Sequence, residues 1–185
     1  MKFKAPWIAR IGAAGLGVSA LLMSLPAQAL EYPIGEPQQG GGLEVAAVYL
    51  QPITMEPKGI MRPAETSDIH LEADIHALAD NKNGLAEGEW APYLDIGYTL
   101  TKLDDGKTES GMLMPMVAND GPHYGDNVKL MGPGKYRLTL DVAPPAAASK
   151  FGRHIDKETG VAPWFKPFKK NYDFVFAGIG KKGGY

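Results

Sequence analysis

Asp68-Ile69-His70-Leu71-Glu72-Ala73-Asp74-Ile75-His76 places an ionisable residue at every even position and an apolar one at every odd position. A β-strand turns successive side chains to opposite faces, so this stretch would bury Ile69, Leu71, Ala73 and Ile75 on one side. Asp68, His70, Glu72, Asp74 and His76 would then line up on the other. The following Ala77-Leu78-Ala79 favours a helix by propensity. On a helix, however, His70 and His76 would stand about 240° apart and could share no site. The unbroken alternation favours the strand. His70 and Glu72 then lie about 7 Å apart along it, close enough to serve one metal ion or two adjacent ones. A plain solvated polar face is the alternative within the strand reading.

On either side of this strand, apolar-rich segments recur with no long helical period. Residues 43–50 are rich in Val, Ala and Tyr. Residues 92–102 alternate Leu94, Ile96, Tyr98 and Leu100, residues 135–142 alternate Tyr136, Leu138 and Leu140, and residues 172–177 carry Tyr172, Phe174 and Phe176 on one face. Turn chemistry separates them at Asn83-Gly84, Asp104-Asp105-Gly106, Asn119-Asp120-Gly121-Pro122 and Gly132-Pro133-Gly134. About seven strands at this spacing predict an all-β fold, an immunoglobulin-like antiparallel β-sandwich. Residues 31–42, rich in Gly, Pro and Gln, read as an irregular lead-in. Residues 146–167 read as a long loop, and loops of that length in a compact domain are usually functional or disordered.

The N-terminus has its own logic. Lys2, Lys4 and Arg10 precede an apolar run that ends in Ala27-Gln28-Ala29, the order of a secretory signal peptide. Residues 1–29 are therefore expected to be a signal peptide cleaved after Ala29, and residues 30–185 a single domain. Gly12, Gly15, Gly17 and Pro26 interrupt the run and argue against a retained anchor. No stable membrane anchor is expected after cleavage, and the absence of cysteine excludes a lipid-modified one. Removal of the leader shifts the formal net charge from -2 to -5, which leaves no electrostatic footprint for nucleic acid.

The lack of cysteine also removes disulfides, zinc-thiolate sites and cysteine nucleophiles. Any metal must use His, Met or carboxylate ligands. Met112-Leu113-Met114-Pro115-Met116 would put three thioethers on one face of a strand, as core filler or as soft ligands. The turn that follows would bring His123 back beside Met116. His154, in Phe151-Gly152-Arg153-His154, is the last of only four histidines in the chain. Thioether with imidazole suits copper, whereas imidazole with carboxylate suits iron, manganese or Cu(II). No spacing matches a zinc-protease helix, an EF-hand or a phosphate-binding loop.

These residues together resemble the bacterial periplasmic high-affinity iron-transport protein family. The resemblance rests on His70-Leu71-Glu72-Ala73-Asp74-Ile75-His76, on Met116 standing seven residues before His123 in Gly121-Pro122-His123-Tyr124-Gly125, and on His154. It implies an immunoglobulin-like sandwich that forms a homodimer with a metal site near the interface, and an inner-membrane iron permease as partner. It further implies His70, Met116, His123 and His154 as copper ligands, with Glu72 in the same or an adjacent site preferred by iron or manganese. Asp74 and His76 match the motif in a supporting or structural part, and Met112 and Met114 stay open between core and secondary soft ligands. The implied function is periplasmic metal binding in iron uptake, without enzymatic activity.

Three rivals compete with this reading. A copper chaperone or resistance protein fits the same ligands; a copper oxidase or superoxide dismutase lacks a convergent acid, base or nucleophile set; an adhesion module would use the scaffold without metal. Since imidazole must be neutral to coordinate, metal affinity is expected to fall below about pH 6.5.

Overall fold

The computed structural model describes residues 30–180. The leader expected at residues 1–29 lies outside them. Among the described residues nine strands follow one another: β1 (Tyr32–Pro33), β2 (Gln38–Gly40), β3 (Leu43–Leu50), β4 (Ile69–Ala77), β5 (Asp95–Lys102), β6 (Thr108–Ala118), β7 (Gly121–Val128), β8 (Gly134–Ala143) and β9 (Phe168–Phe176). Every pairing is antiparallel, in the order β1-β3-β4-β7-β6-β5-β8-β9, with β2 also on β3. Among the described residues no helix is long and apolar enough to cross a membrane.

The long strand β6 makes this path a sandwich. Its first part, through Leu113, pairs with β5, and from Met114 onward it pairs with β7. One strand thus serves two sheets, a device by which sheets turn a corner. The core between them holds the inward residues of both: Ile69, Leu71, Ala73 and Ile75 from β4 against Ile96, Leu100, Leu138 and Leu140 from β5 and β8. The fold is the expected all-β, immunoglobulin-like antiparallel sandwich.

Two local expectations are corrected. The lead-in is not wholly irregular, because β1 and β2 both pair with β3. Residues 121–128, read only as a turn and its sequel, form β7, the strand between β4 and β6. Its signal was masked by Gly121, Pro122 and Gly125, which are poor strand formers by propensity. Residues 146–167 carry only the short 3-10 turn Ala147–Ser149 and no strand, as a loop should.

Tyr124 fixes β7 from the core side. Its hydroxyl donates to Ala91 O at 2.7 Å and accepts from Leu94 N–H at 2.9 Å, and its ring stacks on Trp90 with centroids 5.1 Å apart. Tyr124→Phe would leave a buried carbonyl and a buried amide without this partner. A loss of about 1–3 kcal/mol is expected, measurable as a lowered denaturation midpoint at unchanged m-value.

Candidate metal centre

The site lies on the face of β4, β7 and β6 that points away from the core. β4 contributes His70 and Glu72, β7 contributes His123 and Gly125, and β6 contributes Met116. Strand register does the aligning: Glu72 faces Gly125, and Met116 faces His123. The pairing of Met116 with His123 is the one anticipated from the turn between them.

The solvated-face alternative fails here, because His70 is 0% exposed, Glu72 7% and His123 5%. Residues 53–56 and the end of β6 form the walls of an open cavity of about 760 Å³, with Glu31, Asp120 and the four residues His70, Glu72, Met116 and His123 among its lining. His70, Glu72 and His123 can offer ligand atoms that all lie within 4.8 Å of one another. Glu72 Oε1 is 3.5 Å from His70 Nε2 and 3.3 Å from His123 Nε2. Neither contact is a hydrogen bond, so both Nε2 atoms are buried without one. Buried polar atoms normally find partners, and two unpaired imidazole nitrogens aimed at a carboxylate are what a bound cation would satisfy. The donor set fits copper through imidazole and thioether, and harder ions through the carboxylate.

Electrostatics agree with a cation. Burial pushes the Glu72 carboxyl up to about 8, with the Asp74, Glu31 and Asp120 carboxylates adding to the rise. Burial drives His70 down to about 4. Asp74 is also raised, chiefly by desolvation, and Glu31 is raised by burial and then by its hydrogen bond with Asp120. Desolvated carboxyl groups crowded together repel, and a bound cation would relieve them.

Gly125 is the floor of the site. A Cβ there would stand 2.6 Å from His70 Nε2 and 3.2 Å from Met116 Sδ, so only glycine lets imidazole and thioether approach the same space. Gly125→Ala is expected to weaken copper binding roughly tenfold or more while the fold persists, since disturbing a ligand's support commonly costs about 10–100-fold. Copper titration alongside circular dichroism tests this.

His154 is not brought to this site within one chain. Its side chain is 75% exposed in the loop after β8. It contacts Thr159 Oγ1 at 2.8 Å and Asp156 Oδ2 at 3.9 Å. A loop residue has no strand register to aim it at the cluster. Met114 and Met112 share the outward face with Met116 and are not in the core, which Leu113 enters instead. Asp74 and His76 border a neighbouring recess with Glu31 and Asp120. Asp68 is structural, accepting from Lys129 Nζ and the Leu130 N–H.

The sequence reading passed over Glu31 and Asp120. Glu31 sits in the Gly/Pro-rich lead-in and Asp120 in a turn, where acidic residues are ordinary. The one available signal was the nearness of Asp120 to His123.

The profile described as Fe2+ transport protein matches residues 28–178. A UPF0423 protein of Brucella abortus is 66% identical over 168 residues, covering 90% of this chain and 92% of its own. Among solved structures, FetP of uropathogenic Escherichia coli strain F11, expressed recombinantly in the periplasm, is similar with a TM-score of 0.78 and 54% identity, covering 81% of this chain and 98% of its own. Copper-reconstituted P19 of Campylobacter jejuni gives a TM-score of 0.78 at 53% identity, over 82% and 99%.

Proposed function

Because the chain belongs to the Fe2+ transport protein family, we propose that it is the periplasmic metal-binding component of high-affinity iron uptake, holding copper and iron and passing iron to an inner-membrane permease. The observation that carries this reading is the pair of buried, unpaired Nε2 atoms of His70 and His123 flanking Glu72. His70, His123 and Met116 supply the soft donors for copper. Glu72, with Glu31, Asp74 and Asp120 beside it, supplies oxygen donors for iron or manganese. Copper-bound structures of the similar P19 and FetP support copper as one of the ions.

His154 enters this scheme from a second copy. In a homodimer whose two-fold axis passes near the cavity mouth, the loop histidine of the partner subunit would complete the ligand set. Export by residues 1–29 would place the protein in the periplasm, where the permease meets its cargo. A carrier role is supported by the family's description.

Metal analysis of the purified protein and growth of a deletion strain in iron-chelated medium test the reading together. Stoichiometric copper or iron with poor growth on chelated iron is the expected result. Normal growth there, combined with sensitivity to added copper, would assign the site to copper handling instead.

A further inference from the structure

Behind His70, on the side away from Glu72, lies a buried amide that neither the sequence motif nor the ligand set includes. Asn127 is 1% exposed and every polar atom of its side chain is engaged. Its Nδ2 donates to Ile53 O at 2.8 Å and to Arg62 O at 2.9 Å. Its Oδ1 accepts from Ile53 N–H at 3.1 Å and faces His70 Nδ1 at 3.0 Å.

The two carbonyls settle which way the amide points, because a flipped Asn127 would set its oxygen against both of them. With Oδ1 fixed as an acceptor, the contact with His70 requires a proton on Nδ1. A neutral imidazole has one N–H, so Nε2 is left with its lone pair, directed at Glu72 and His123.

We propose that Asn127 is a positioning residue of the metal centre: the backbone of segment 53–62 orients its amide, and the amide holds His70 in the Nδ1–H form with Nε2 free to coordinate. The role rests on the metal-binding reading above. It also ties the metal site to the segment carrying Ile53, Thr54 and Met55, which line the same cavity. A ligand histidine commonly donates its second ring N–H to an oxygen that sets its tautomer and orientation, and losing that partner costs about 10–100-fold in affinity.

Long-range proton–nitrogen correlation on metal-free, 15N-histidine-labelled protein at neutral pH reads the tautomer without any substitution. Nδ1 protonated and Nε2 bare at His70 is expected, and Nε2 protonated overturns the proposal. Asn127→Leu loses the accepting oxygen and both donated bonds. Asn127→Leu is expected to mix the His70 tautomers and weaken Cu(II) binding about 10–100-fold. Wild-type affinity in Asn127→Leu overturns it. Failure of the wild-type chain to bind Cu(II) would count against the metal reading, and the tautomer measurement would still decide the part played by Asn127.

Discussion

Copper affinity should fall by at least about 100-fold when His123 is replaced by alanine, because even the loss of a group behind a ligand costs about 10–100-fold and His123 would be a ligand itself. His123 is held in β7 opposite Met116, and its Nε2 is buried 3.3 Å from Glu72 Oε1 without a hydrogen bond. Removing the ring takes away an unpaired buried polar atom, so the metal-free variant should fold as well as the wild type. Function and stability therefore separate in this variant. Unchanged Cu(II) affinity in a competition titration would count against the site; a large loss with an unchanged denaturation midpoint is the expected pattern.

Metal loading should raise the melting temperature by about 8–16 °C when free metal exceeds Kd a thousandfold. That ratio corresponds to about 4 kcal/mol, and a domain of this size shifts by about 2–4 °C per kcal/mol. The gain depends on pH with a sign set by Glu72. Its carboxyl is raised from 4.5 to about 8, so its contribution to the metal-free fold is fully present below about 4.5 and is lost as pH rises through about 8. His70, lowered from 6.5 to about 4, works in the opposite sense: its contribution is present above about 6.5 and is lost as pH falls through about 4.

A metal ion must displace the Glu72 proton below about pH 8. Binding at pH 7 should therefore release about one proton, and affinity should drop about tenfold per unit as pH falls. This moves the onset from about 6.5, expected of an ordinary imidazole, up to the carboxyl at about 8, while His70 stays available far below its usual range. Calorimetry in buffers of different ionisation enthalpy counts the proton, and an affinity independent of pH between 6 and 8 would contradict the assignment to Glu72.

The alternation from Asp68 to His76 by itself determined that β4 is a strand, which of its faces is buried, and that His70 and Glu72 share the other face. The same period-two pattern placed Ile96, Tyr98 and Leu100, then Tyr136, Leu138 and Leu140, in the core, where each is buried. These facts are local, because a strand's own geometry assigns its faces. That β7 lies between β4 and β6 was not legible, since its glycines and proline conceal a strand that pairing on both sides stabilises. Only that placement brings His123 to Glu72, makes Gly125 a floor, and sets Asn127 behind His70. Asp120, at the turn into β7, joins the acidic rim for the same reason, and Glu31 reaches it from beside β1, which pairs with β3. Register across strands distant in sequence is a property of hydrogen bonding and core packing between them, and no single segment carries it.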